Sequence, residues 1–331
     1  MRAAQQSAQE YLAHGQTPFF RLPVAAGPGS PPPGTRAVLL GVPYDGATTA
    51  SPGARFAPFH VRRVSAFVQG WHPVHRVSVF ERSGAVDGGN VVFPPFQAAA
   101  VRDRVEAGAL AVHSAGAAPF LVGGDHSIAL PALRAAARVH GPVAVVHVDA
   151  HLDTSGPETW AEPFHHGTPF RHAIEEGLIR PGQFHQVGLR GPWGAADDGL
   201  LSAEHGASVT TADDVASAGA GAVAARIRAA VGDTPVYLSF DVDAVDPAFA
   251  PGTGTPVPGG LTSREALLLV RGLAGVRLIG MDLVEVCPAL DHADLTSHLA
   301  ASLLFEGLAL VAVSTLSAGG SDRTPSMSAS R

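Results

Sequence analysis

Apolar residues in this chain fall into short Val- and Leu-rich runs that alternate with longer Ala-rich stretches. The runs stop at Gly, Pro or acidic residues. They predict about eight strands, at 37–42, 85–86, 119–122, 143–148, 185–189, 207–210, 235–240 and 276–281. The longer stretches predict helices at 59–67, 96–115, 128–140, 169–176, 212–230, 262–273 and 294–313, with Thr262 or Ser263 as an N-cap. Strands alternating with helices give an α/β fold with a parallel sheet covered on both faces, either a closed barrel or an open twisted sheet. Residues 1–35 have little periodicity, and the GPGSPPPG stretch at 27–34 reads as part of a stiff, irregular N-terminal arm. Without a repeat or a shift in composition, 36–313 reads as one domain, and the Ser/Gly-rich 314–331 as a flexible tail.

The polar residues that follow the strands are more informative. The run Val143–Val148 is followed at once by Asp149, His151 and Asp153. Alternate residues of an extended chain point the same way, so two carboxylates and an imidazole reach one face. Asp241 and Asp243 repeat that logic after 235–240. His126 follows 119–122 in a Gly123-Gly124-Asp125-His126-Ser127 turn, and Glu285 follows 276–281. Ligands bind such sheets at the carboxyl ends of the strands, so these clusters share one rim. Each has an ordinary reading by itself, as a turn, a cap or a solvated charge. Asp-x-Asp also occurs in calcium loops, but the EF-hand's central Gly and terminal Glu are missing at the required spacing. Together, four carboxylates and two imidazoles exceed what one ion needs and roughly balance two divalent cations. A two-metal site, with ions ~3.5–4 Å apart, uses bridging carboxylates and a water held between them. The oxygen-rich donor set fits manganese better than zinc.

Composition narrows the classes. The net charge of −7 gives no reason to expect nucleic acid or an anionic membrane as partner. Every basic residue is Arg, which removes Schiff-base and phosphate-loop lysine chemistry. Cys287 is the single cysteine, so an intramolecular disulfide and a multi-cysteine zinc site are excluded. No cationic start leads into an apolar segment, and no uninterrupted 18-residue apolar run is seen elsewhere, so a cytoplasmic location is expected.

The motifs carry a family resemblance. Gly123–Ser127, Asp149–Asp153, and Ser239–Pro247 continuing to Pro251–Pro256 resemble the signatures of the ureohydrolases, which include arginase, agmatinase and the guanidino-acid amidinohydrolases. The likeness runs from about Val38 to Leu310 and is closest to the agmatinase and guanidino-acid branch. It implies an arginase-like three-layer α/β/α fold around an eight-stranded parallel sheet, two Mn2+ ions per subunit, and a homo-oligomer, trimeric or hexameric. By motif, His126 and Asp153 would bind one ion and His151 and Asp243 the other, with Asp149 and Asp241 bridging. His166, in the His165-His166-Gly167-Thr168-Pro169-Phe170 motif, matches the catalytic histidine, a proton shuttle expected to titrate near neutrality. Glu285 matches the carboxylate that faces the guanidinium, and Thr255 a threonine of the substrate rim. Without the metal motifs, His165 and His166 would read as loop histidines and Glu285 as a solvated strand-end charge. The implied reaction is hydrolysis of a small guanidino compound to urea and a primary amine, with no organic cofactor.

The substrate's far end would be read by loops 44–56 and 160–171. Agmatinase-branch members commonly show Arg-Pro-Gly-x-Arg-x-Gly-Pro in the first; here Ser51 and Ala57 depart from it, and Asn90 stands where relatives usually carry Asp. The Phe164–Phe170 stretch resembles enzymes of guanidino acids as much as agmatinases. Arginase's Asn-rich stretch after Asp-x-His-x-Asp is absent; Thr154-Ser155-Gly156-Pro157-Glu158 takes its place. Agmatine, giving putrescine, is therefore the first expectation. An ω-guanidino acid of the guanidinobutyrate, guanidinopropionate or proclavaminate type is the second. A mononuclear zinc deacylase would lack a ligand among His126, Asp153 and Asp243, and a non-catalytic member would have lost a ligand or Glu285. The set is complete, which argues against both.

Overall fold

In a computed structural model, residues 17–27, 29–193 and 198–314 are described. In chain order the strands are β1 (Ala37–Gly41), β2 (Trp71–His72), β3 (Val77–Ser78), β4 (Val86–Asn90), β5 (Ala118–Val122), β6 (Val143–Val148), β7 (Ile179–Leu189), β8 (Ser208–Thr211), β9 (Pro235–Asp241) and β10 (Arg277–Val284). β2 and β3 form a small antiparallel hairpin that the sequence reading did not anticipate. The other eight form one open parallel sheet in the order β4-β1-β5-β10-β9-β6-β7-β8, which excludes the barrel. The open sheet matches the arginase-like expectation.

That order explains why the polar clusters meet. β5, β10, β9 and β6 are consecutive in the sheet, and their carboxyl ends lead to His126, Glu285, Asp241/Asp243 and Asp149/His151/Asp153. Val148 of β6 pairs with Phe240 of β9, so Asp149 and Asp241 leave the two central strands side by side. Val284 of β10 pairs with Asp241, which brings Glu285 alongside.

Both faces of the sheet are apolar because helices cover both. Along β6, Val143 and Val145 join one core, and Ala144, Val146 and Val148 the other. Helices Ala98–Ser114, Ala129–His140 and Pro169–Glu175 pack over the first core. Ala57–Ser65, Ala220–Val231, Ser263–Gly272 and Leu295–Val313 pack over the second. Thr262 caps its helix as expected, in a capping box with Glu265. Leu295–Val313 is long and apolar enough to cross a membrane by length and mean hydropathy, although Thr, Ser, His and Glu306 interrupt its apolar run, as the sequence reading has it. Within the fold, 78% of its apolar window is buried, as a core helix.

Three further differences have local causes. The single helix expected over 212–230 is two, Ala212–Ala218 and Ala220–Val231, broken at Gly219 with φ 84°. β4 and β7 run longer than their apolar cores, and the short helices Val79–Ser83 and Leu200–Glu204 carry no periodic signal. The expected irregular arm is docked where it is described. Phe19 and Phe20 are fully buried, and Val24 bridges to Asp87. Residues 1–16 and the tail from 315 lie outside the described residues.

Asp87 is the anchor of that arm. Its Oδ2 accepts the Phe19 N–H and the Arg62 Nε–H, each at 2.8 Å, and its Oδ1 accepts the Gly89 N–H at 2.8 Å. Arg62 is itself mostly buried. Replacing Asp87 by Ala leaves the Phe19 N–H unpaired and removes the counter-charge of a mostly buried guanidinium that keeps only the neutral acceptors Asn90 and Gly89, so Asp87→Ala is expected to lower unfolding stability by about 3–5 kcal/mol in chemical denaturation.

Candidate metal centre and active site

Asp149 occupies the middle of the rim. Its Oδ2 accepts from His147 Nε2 at 2.8 Å and lies 3.1 Å from His126 Nδ1. Its Oδ1 accepts the His151 N–H at 2.6 Å and lies 3.4 Å from His151 Nδ1. His126 Nδ1 is also 2.9 Å from Asp153 Oδ2 and 3.3 Å from Asp241 Oδ2, while His151 Nδ1 is 3.0 Å from Asp243 Oδ2. Two groups able to hold a metal ion result: His126, His147, Asp149 and Asp153, and Asp149, His151 and Asp243. Asp149 belongs to both. All six expected ligand residues are gathered in one place, with Asp241 facing the first group.

Local backbone geometry produces this convergence. Gly124 has φ 82°, and a Cβ there would stand 2.7 Å from the carbonyl oxygens of Val42 and Tyr44, so only Gly lets the turn close and aim His126 inward. Asp153 and Glu285 adopt left-handed conformations, φ 52° and 63°, which non-glycine residues hold only where the surroundings enforce them.

The donor chemistry fits cations. His126 Nε2 lies 2.8 Å from Ser239 Oγ, whose hydroxyl donates to Asp282 Oδ1 at 2.7 Å, so Ser239 accepts the Nε2–H. Nδ1 is then left as a buried lone pair with no hydrogen-bond partner, facing three carboxylates. That arrangement is tolerable only with a positive charge at the point, a proton on Nδ1 or a metal ion. Burial lowers the His126 pKa, but the carboxylates of Asp149, Asp153 and Asp241 close to Nδ1 outweigh it and raise it well above the histidine range. His151 follows suit: burial opposes, yet Asp243 and Asp149 push it up to about 12. Burial and the neighbouring Asp243 and Asp149 charges push Asp241 well above the carboxylate range. Burial, with Asp149 beside it, raises Asp243. Asp149 resists burial because His147, His126 and His151 surround it, and it is held well below that range.

His147 is the member that the sequence reading missed. It sits on β6 in the same alternating register as Asp149, His151 and Asp153, so the signal was one strand residue earlier. Gln186 donates to its Nδ1 at 3.3 Å, leaving Nε2–H to donate to Asp149. Phe170, with its ring centroid 4.0 Å away, fixes the ring plane.

A cavity of about 600 Å³ opens over this cluster, lined by His151, Asp153, Asp241 and Asp243 below and by loop residues above. His166 and Thr255 line it as expected, and Thr255 Oγ1 donates to Asp243 Oδ2 at 3.1 Å. Glu285 does not line it; the carboxylate reaches the cavity through His166, whose Nδ1 is 2.9 Å from Glu285 Oε1. The same oxygen accepts the His126 N–H at 2.9 Å. Burial pulls the His166 pKa down, but Glu285 beside it raises it from 6.5 to about 9, above the near-neutral value expected. Ser51, Ala57 and Asn90 do not line the cavity, and Asn90 accepts from Arg62 Nη1 at 2.6 Å. Trp193, Arg190 and Glu204 do line it, and nothing in the sequence pattern marked them.

The Arginase family profile matches residues 35–309. The chain is 44% identical over 285 residues to proclavaminate amidinohydrolase of Streptomyces clavuligerus, covering 86% of this chain and 90% of that protein. It is 43% identical over 296 residues to guanidinopropionase of Pseudomonas aeruginosa, covering 89% and 92%. It is 42% identical over 277 residues to an agmatinase of Serratia proteamaculans, covering 83% and 87%. The solved structure of the Streptomyces enzyme superposes with a TM-score of 0.85, at 43% identity, over 90% of this chain and 98% of that one.

Two outcomes follow from the geometry. His147→Phe removes the donor that orients Asp149, and metal affinity measured by calorimetric titration should fall about 10–100-fold. A histidine whose pKa is raised on folding stabilises the fold fully below its unfolded value near 6.5, and that contribution is lost as pH rises through about 9. Glu285→Gln should therefore lower the His166 pKa in an NMR titration and flatten that pH dependence.

Proposed function

Because the chain belongs to the arginase family and is a hydrolase of C–N bonds in linear amidines, we propose that it is a two-manganese amidinohydrolase converting agmatine to putrescine and urea. The observation that carries the reading is Asp149 shared between two His/Asp groups that meet beneath one cavity. His126 and Asp153 would hold one ion and His151 and Asp243 the other, with Asp149 and Asp241 available to both. Bound there, two divalent ions would lower the pKa of a water between them so that hydroxide is available near neutral pH.

The chain's own residues do the rest. A guanidinium is a poor electrophile because its charge is spread over three nitrogens, so it must be held in line for attack. Asp243 and Thr255 are hydrogen-bonded to each other at the cavity wall, where a cation is attracted. Glu285 fixes the His166 ring and favours its protonated form. That imidazolium is the acid the departing amine needs.

The tail of the substrate is read at the mouth. Glu158, Asp198 and Glu204 line the cavity there, with the exposed rings of Trp160 and Trp193. Of the two arginines among the described lining residues, Arg190 is taken up by the carbonyl oxygens of Val257, Gly188, Ala244 and Asp243. An acidic mouth suits a substrate with a second positive charge, which agmatine has and a guanidino acid lacks. The competing reading, an ω-guanidino acid, draws on Arg171 in the same lining and on the names of the Streptomyces and Pseudomonas relatives. The proposal extends to a trimeric or hexameric assembly in the cytoplasm.

Urea release by the manganese-loaded protein from agmatine, guanidinobutyrate, guanidinopropionate, proclavaminate and arginine decides between them. The expected result is release from agmatine, little from arginine, and loss of both metal and activity in Asp241→Ala. His166→Asn should keep the metal and lose about 10²-fold or more in kcat.

A further inference from the structure

We propose that the Thr49 hydroxyl relays the proton from His166 to the departing amine, a role that rests on the amidinohydrolase activity proposed above. The His166 imidazole has two nitrogens, and both are engaged. Nδ1 lies 2.9 Å from Glu285 Oε1. Nε2 lies 2.8 Å from Thr49 Oγ1 and 3.3 Å from the Thr49 backbone nitrogen. A ring so held has no nitrogen left for the substrate. Thr49 itself is exposed and lines the cavity, and among the described residues of loop 44–56 no other does so. A hydroxyl donates and accepts at once. It donates to Nε2 when His166 is neutral. The Thr49 backbone N–H also donates to Nε2 in the neutral ring; when His166 is protonated that weaker bond is given up, the hydroxyl accepts the Nε2–H and its own proton is free to turn to the cavity.

The loop is fastened so as to keep Thr49 in that position. The His166 N–H donates to the Ala47 carbonyl at 3.0 Å, and the Ala47 N–H donates to Asp125 Oδ2 at 2.8 Å. Asp45 accepts the Gly53 N–H at 2.7 Å and pairs with Arg55, closing the base of the loop. Loop and histidine are therefore tied to each other through backbone and Asp125 contacts that do not involve the Thr49 side chain, so substitution at Thr49 alters the hand-off without releasing the loop.

In the step, the Nε2–H bond of the imidazolium breaks as a new O–H bond forms on Thr49. The original Thr49 O–H bond breaks as an N–H bond forms on the leaving nitrogen. The electron pair of the broken C–N bond stays with that nitrogen, and the oxygen added from water remains as the urea carbonyl. Thr49 ends neutral, and one proton has moved from His166 to the amine; the proton still carried by the oxygen added from water leaves it as the urea carbonyl forms and ends on the free amine, making it ammonium. His166 recovers its proton from the water consumed in the next turnover, so guanidinium plus water gives urea plus ammonium.

The test compares Thr49→Val and Thr49→Ser in the manganese-loaded full chain, with whichever guanidino compound gives urea. The relay predicts unchanged metal content, KM within about threefold, and kcat reduced ~10²-fold in Thr49→Val. Thr49→Ser, which restores the hydroxyl, should recover most of kcat. Retention of kcat in Thr49→Val overturns the relay, since His166 then acts directly. A raised KM with kcat unchanged also overturns it, because Thr49 then only reads the substrate. So does a Thr49→Ser variant as slow as Thr49→Val. A wild-type chain that forms no urea from any guanidino compound overturns the activity and the relay with it, and that is seen before a variant is made.

Discussion

Four carboxylates are buried within a few ångströms of one another where β6 and β9 end, and the cost of that charge is the constraint to which the surrounding structure answers. An isolated buried carboxylate is strongly disfavoured, and like charges at this spacing add repulsion. Backbone N–H groups of Ala150, His151 and Asp243 donate to Asp243, Asp149 and Asp241 respectively. Three imidazoles stand among the carboxylates. Behind them, Tyr237 and Ser239 donate to Asp282, and Ser239 fixes the orientation of His126. The strand order that makes β5, β10, β9 and β6 neighbours is what lets one site draw on all these segments. Such a cluster is stable only with positive charge inside it, which is why its chemistry and its fold cannot be separated.

Much of this was legible because strands and ligands obey the same period. An apolar run that ends in Asp-x-His-x-Asp states both that a strand is present and that its end is chemical. The parallel α/β rule then places every such end on one edge. The alternation could have been followed backwards to His147, which the apolar character of 143–148 masked: a buried imidazole inside a valine run looks like part of the core. The docked arm was not legible because Phe19 and Phe20 are fixed by distant partners, their backbone N–H groups donating to Asp87 and Ser65 and their rings meeting Arg62 and Phe80, rather than by any local pattern. The break at Gly219 was hidden in an Ala-rich stretch whose composition suits a helix throughout. Membership of a sheet is written locally, but strand order and docking are written in contacts between remote residues.

The same division separates reaction from substrate. The head of the site is built from strand ends, which the fold holds rigidly. The outer wall of the cavity comes from 154–171, the end of β7 and the helix Leu200–Glu204, all loop-borne or marginal elements. Identities of 42% to 44% to relatives named for three different substrates accord with that division. The departures at Ser51, Ala57 and Asn90 fall away from the cavity lining. Ala57 packs beneath the glycine turn that carries His126, where a Cβ on Gly123 would stand 2.9 Å from its methyl group. Its size therefore bears on the turn rather than on the substrate.

The most direct test of the account is anomalous X-ray diffraction from crystals of the manganese-loaded chain, collected on either side of the manganese edge. The account predicts two anomalous peaks ~3.5–4 Å apart, flanked by Asp149 and Asp241 with His126 and His151 at opposite ends. A single peak, or none between these carboxylates at saturating manganese, would contradict it.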